Sequence, residues 1–215
     1  MLFKIKDPIS SFTHLFGAAL AVPCAALLII TAAKAGSTVH VAAFAIFGAA
    51  LFLLYMSSGI YHLLPLGKHT NIFRRIDHMM IFVLIAGTYT PICLIPLKGA
   101  WGITMLALIW VCALCGVIIK VFWFDAPRKL STCLYVFMGW LIVIAFYPLS
   151  RALPPQAILL LAGGGLLYST GAIIYATKRP RLKIPFFGFH EIFHLFVLAG
   201  SAFHVAMMFK YIAPH

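Results

Sequence analysis

Three histidines and an aspartate carry chemistry that this chain otherwise lacks. His62 closes the segment Ser58-Gly-Ile-Tyr-His62, Asp77 lies in Arg75-Ile-Asp77-His78, and His190-Glu-Ile-Phe-His194 holds the other two imidazoles. Each segment sits at one end of a long apolar run. His190 and His194 are four residues apart, so they project from one helical face and can share an ion. His62 can supply a third nitrogen. That leaves a fourth tetrahedral position for water, the pattern of a catalytic zinc site. Asp77 is placed to hydrogen-bond such a water and act as its base. Ser58, one turn before His62, can orient the imidazole or a substrate. A carboxylate within a membrane costs roughly 2.5–3.5 kcal/mol on insertion scales, and a divalent cation beside it would offset that cost.

These residues need a frame to bring them together, and the frame is apolar. The 215 residues are 64% hydrophobic and 9% charged. A soluble domain has roughly a quarter of its residues charged, so this composition describes an integral membrane protein. The net charge of +12 does not indicate nucleic acid. Its basic residues form short clusters between apolar runs, which suits anionic lipid headgroups.

A helix crosses the hydrocarbon core with about 20 apolar residues. Seven stretches meet that length: 12–33, 41–64, 76–97, 101–122, 131–149, 156–177 and 187–209. Pro and Gly punctuate the short connections, and no room remains for a soluble domain. The expected fold is all-α, a single seven-helix membrane domain. The first run follows Lys4 and Lys6 in the manner of a signal peptide. It is longer than a typical signal core and lacks a convincing cleavage site, so it reads as a span.

Basic residues set the orientation. Lys4, Lys6, Lys68, Arg74, Arg75, Lys120, Arg128, Lys129, Lys178, Arg179, Arg181 and Lys183 fall on one side, and Lys34, Lys98, Arg151 and Lys210 on the other. The N-terminus is therefore expected in the cytoplasm and the C-terminus outside. This topology puts His62 at the inner end of span 2. Asp77 and His78 fall in the first turn of span 3, and His190 and His194 in the first turns of span 7. The four site residues thus come out at one depth, although nothing in the charge count assumed it.

The remaining histidines read differently. His78 and His14 lie on the same side and are expected to support the site without binding the ion. His204 is about 15 Å further along span 7 than His194 and reads as a packing residue. His40, His69 and His215 read as loop or terminal residues. His190-Glu191-Ile-Phe-His194 also matches HExxH, in which the Glu serves zinc peptidases as base. No soluble protease domain accompanies it. The cysteines Cys24, Cys93, Cys112, Cys115 and Cys133 lie within apolar runs and read as packing residues, not as a disulfide framework. Trp101, Trp123 and Tyr147 suit the membrane interfaces. Gly163-Gly-Gly165 and Gly171 give span 6 a small face.

The chain resembles a bacterial member of the hemolysin III family, within the progestin and adipoQ receptor superfamily. Thr13-His14, Ser58-x-x-x-His62, Asp77-His78 and Ile85-Ala-Gly-Thr-Tyr-Thr-Pro91 carry the resemblance, with Met138-Gly-Trp140, His190-x-x-x-His194 and Gly200-Ser-x-x-His204. It implies a seven-helix bundle with a cytoplasmic N-terminus. It implies Zn2+ on His62, His190 and His194, Asp77 close to the zinc-bound water, and Ser58 as the serine of the SxxxH motif. Glu191 is not part of that pattern and is given no catalytic role. The wider group includes alkaline ceramidases, and bacterial members are linked to haemolysis and to membrane-fluidity homeostasis.

Together these readings lead to a multi-pass protein of the cell membrane, a zinc-dependent hydrolase of a lipid amide or ester. Its partners would be membrane lipids reaching the site laterally. No nucleic acid and no protein partner is indicated. One alternative is a membrane sensor or homeostasis factor in which zinc is structural. Another is a cytolytic activity, against which four acidic residues provide no continuous polar lining.

Overall fold

A computed structural model of the chain describes residues 5–65, 67, 70–123, 125–182 and 184–214. Lys4, Lys68 and Lys183, used in the charge count, lie outside them, as do His69 and His215. Seven helical spans are long and apolar enough to cross a membrane. They comprise α1 (Pro8–Lys34), α2 (Thr38–Leu63), α3 (Thr70–Leu94), α4 (Gly99–Phe122), α5 (Arg128–Trp140) continued by α6 (Phe146–Ala152), α7 (Pro155–Thr177) and α8 (Phe189–Met207). Large apolar side chains face outward, among them Ile103, Phe122 and Leu159. An apolar surface of this kind belongs in lipid. The chain is a multi-pass membrane protein.

The helices form a ring. α1 packs on α2 and α8, α2 on α3, α3 on α5, α5 on α7, and α7 on α8. α4 stands outside the ring against α3, where Gly116 leaves room for the ring of Phe82. Phe44, Phe47, Phe82, Ile92 and Ile109 are fully enclosed and hold α2, α3 and α4 together. The tight α1–α2 connection turns at Gly36, whose φ of +70° suits a residue without Cβ. Ser37 then caps α2 by accepting from His40 N–H. His40 therefore lies in the first turn of α2, not in a loop.

Two boundaries differ from the apolar runs. α3 begins at Thr70, so Asp77 and His78 lie about two turns inside it and not in its first turn. The helix continues through Arg74 and Arg75, which are polar enough to end an apolar run but not to end a helix. The fifth span is interrupted by a 3-10 segment, Leu141–Ala145. Pro148 offers no N–H to the carbonyl four residues earlier. The Tyr89 hydroxyl takes part in the break: it accepts from Ile142 N–H at 2.8 Å and lies 2.9 Å from the carbonyls of Met138 and Gly139.

Close approach of α1 to α2 sets the position of the site. A Cβ on Gly59 would fall 2.7 Å from the Leu15 side chain. Ser11 Oγ donates to the Gly59 carbonyl at 3.0 Å. On the far side of α8, Gly163 and Gly164 of α7 meet the rings of Phe203 and His204, and Gly171 meets Phe196. Gly165, placed with them on one small face in the sequence, contacts neither and lines the interior cavity.

Candidate metal centre

His62 ends α2 and His190 and His194 begin α8, and the ring brings these ends together. One ligand atom from each of the three lies within 4.8 Å of the others. Nε2 of His62 and Nε2 of His190 are 3.1 Å apart. Zinc–nitrogen bonds of about 2.0–2.1 Å at tetrahedral angles separate two nitrogens by about 3.3–3.4 Å, so the spacing fits a shared ion. His62 and His194 are buried and His190 is partly so.

Asp7 decides which nitrogen of His62 is presented. Its Oδ2 lies 2.9 Å from Nδ1 of His62, and its backbone N–H donates to the His62 carbonyl at 3.1 Å. Nδ1–H donates to the carboxylate, which leaves the Nε2 lone pair pointing at the cluster. A carboxylate behind a histidine ligand is the usual arrangement in metal sites. The hydrogen bond from His62 holds the Asp7 carboxyl below its usual range; burial opposes the shift, and the Lys6 ammonium at 3.2 Å adds to it. The donor set therefore suits a divalent metal both in spacing and in the tautomer it imposes.

Asp7 was not singled out in the sequence. It is one of four acidic residues in the chain, and that scarcity was a usable signal. The charge count and the apolar runs gave it no role because it stands just before α1.

The other polar residues sort by contact. His14 stacks on His194 with centroids 3.6 Å apart and planes 11° from parallel, and its edge meets Tyr55. Asp77 is buried beside the cluster, and Ser58, also buried, lines the same cavity. His78 stands outside the triad, with Nε2 3.3 Å from the Tyr175 hydroxyl. Glu191 holds the start of α8: one oxygen accepts from Gly188 N–H at 2.8 Å and the other from Ser10 Oγ at 2.7 Å. Its carboxylate thus caps α8 and ties it to α1. His204 packs against Gly164 and Tyr168, away from the cluster.

Two spaces meet at the histidines. A vestibule of about 450 Å³ is walled by Lys6, Asp7, Arg74, Lys120, Arg128 and Glu191. A cavity of about 340 Å³ runs beneath it, past Ile85, Leu161 and Phe146 as far as Leu149 and Ile158. Asp77, His78, Tyr135, Tyr175 and His190 line both. Among the described residues, α4 contributes nothing to the cavity wall.

Comparison with known proteins agrees with this architecture. Residues 3–205 match the family described as haemolysin-III related. The chain is 43% identical over 211 residues to Hemolysin-3 of Bacillus cereus, covering 98% of this chain and 94% of that protein. It is 46% identical over 202 residues to a Hemolysin-3 homolog of Bacillus subtilis (strain 168), covering 94% and 92%. It is also 27% identical over 172 residues to the human monocyte to macrophage differentiation factor, covering 78% and 69%. The chain belongs to the haemolysin-III-related family.

Proposed function

We propose that this member of the haemolysin-III-related family is a zinc-dependent hydrolase of a membrane lipid amide or ester, acting in membrane lipid homeostasis. One observation carries the reading: a three-histidine cluster lies where a polar vestibule meets an apolar cavity. That is where the carbonyl of an acyl lipid would come to rest, with its head in the vestibule and its chain below. His62, His190 and His194 would hold the metal. Bound there, zinc would supply Lewis-acid polarisation of the carbonyl and would lower the pKa of water.

The chain's own residues do the rest. Asp77 accepts the proton from the attacking water and returns it to the leaving group. Ser58 positions the Asp77 carboxylate. Asp7 fixes the His62 tautomer, and His14 backs the His194 ring. Leu84, Ile85, Leu161 and Val197 give the cavity the apolar wall that receives the chain. Beyond the cluster the cavity wall is mostly apolar, with Thr88, Ser169 and His204 as separate polar points and not a continuous polar path, which argues against a pore. By the basic asymmetry, the vestibule faces the cytoplasm. A reporter fused after His215 should then behave as extracytoplasmic, and a cytoplasmic signal would reverse the orientation.

Asp77→Asn tests the hydrolase reading. The variant keeps the side chain's size and removes its basicity. It should fold, retain zinc and lose roughly 10²-fold or more of lipid turnover, the usual scale for a general base. A zinc-loaded Asp77→Asn protein with full turnover would remove Asp77 from the mechanism. Absence of turnover by the unmodified protein on amide and ester lipids would leave the sensor with structural zinc.

A further inference from the structure

Lys120 occupies an unusual place for a cation. It ends α4, the helix outside the ring, yet its side chain turns into the vestibule and is only 4% exposed. Nζ donates to Ser131 Oγ of α5 at 2.6 Å. An ammonium has three N–H donors, and a hydroxyl satisfies one. Among the described residues no carboxylate lies at ion-pair distance from it. Asp125, exposed at the rim, interacts only over a longer range. A buried ammonium without a counter-ion is costly.

Arg128 joins it from the first turn of α5. Its Nη1 donates to the Tyr175 carbonyl at 3.2 Å, and its guanidinium lies 5.2 Å over the Tyr175 ring. These contacts fix the group and use one of its five N–H donors. Arg74 lines the same wall. The facing wall is different. There Asp7 is engaged by Lys6 and His62, and Glu191 by Ser10 and Gly188. Lys120, Arg128 and Arg74 thus gather on the α3–α4–α5 side, where Asp77 and Asp125 also line the wall, while the carboxylates of the α1–α8 side already have partners.

We propose that Lys120 and Arg128 form an anion site that receives the phosphate headgroup of the lipid on which the histidine centre acts. Guanidinium and ammonium groups together are suited to phosphate oxygens. Tyr135 and Tyr175 line both spaces, so a headgroup on this wall leads its chain past His190 into the cavity. The assignment deepens the hydrolase reading by naming the substrate class, an acyl lipid with an anionic head.

The test uses full-length, zinc-loaded protein in phosphatidylcholine nanodiscs. The probes are hexadecyl phosphate, hexadecyl glucoside and inorganic phosphate, with binding read by calorimetry. None has an acyl bond to cleave, so binding is independent of turnover. Hexadecyl phosphate should bind at least about tenfold tighter than the glucoside, the scale of one charge-assisted contact. Lys120→Met should abolish that preference, with zinc content and glucoside binding unchanged. Arg128→Gln, at a more accessible position, should reduce it and serves if Lys120→Met does not fold. Equal binding of the two amphiphiles, or a preference that survives both substitutions, overturns the site. Inorganic phosphate binding as tightly as hexadecyl phosphate overturns the headgroup assignment. Selective, Lys120-dependent binding in a protein that turns over no acyl lipid supports the site and removes the hydrolase reading.

Discussion

On one side of the histidine cluster, the vestibule is walled by charge. On the other, the cavity is walled mostly by leucine, isoleucine, valine and aromatic rings, with Thr88, Ser169 and His204 among them. All four acidic residues of the chain, Asp7, Asp77, Asp125 and Glu191, line the vestibule. Asp77 alone among them also lines the cavity. The contrast follows from the cost of placing charge in a low-dielectric interior. Charged groups gather in the vestibule, Lys120 being the buried exception among them. The one carboxylate set deeper lies beside three imidazoles able to hold a cation. The boundary between the two spaces is thus the place where a polar reaction and an apolar chain can coexist.

The strongest way to break this comparison is to remove the boundary. His190→Ala or His194→Ala should abolish stoichiometric zinc in the purified protein, measured by elemental analysis. Either should also lower the thermal midpoint, because a ligand bound to the folded state stabilises it. His204→Ala removes an imidazole from the apolar side and should keep its zinc. Loss of metal from the His204 variant with retention in the His190 variant would mean that the centre lies deeper than the boundary.

How much of this was legible in the sequence depends on the residue. The seven spans were, because hydrocarbon thickness fixes the length of an apolar run. The convergence of His62, His190 and His194 was too, because alternating spans with basic ends on one side put their chemistry at one depth. The 3-10 break in the fifth span was not. It depends on the Tyr89 hydroxyl reaching across from α3, a tertiary contact with no local signature. The start of α3 was misplaced because an apolar run marks the membrane's extent, not the helix's. Glu191 and Asp7 show the limit best. Both are carboxylates beside histidine motifs. Only the fold shows that Glu191, inside HExxH, caps a helix, while Asp7, outside every motif, grips a histidine of the cluster.

Asp7 gives the smallest effect and the sharpest test of where the vestibule ends and the centre begins. Removing a carboxylate behind a ligating histidine typically costs 10- to 100-fold in metal affinity. Asp7→Asn should fall in that range, and Asp7→Glu should recover part of it. The backbone bond from residue 7 to the His62 carbonyl survives both substitutions, so a loss confined to Asn isolates the carboxylate. The sign of the pH dependence follows from the depressed pKa. The stabilisation from the ionised carboxylate is fully present above the ordinary carboxylate pKa, about 3.9. It is lost only as the pH falls through the lower value that the His62 hydrogen bond imposes in the folded protein. Zinc affinity itself will fall on acidification as the imidazoles take up protons. The ratio of native to Asp7→Asn affinity should nevertheless stay flat between about pH 6 and 8, because Asp7 is ionised throughout that window. Equal zinc affinity in the two proteins would reduce Asp7 to a backbone anchor of the N-terminal segment. The Nε2 lone pair of His62 would then have to be set by His190 alone.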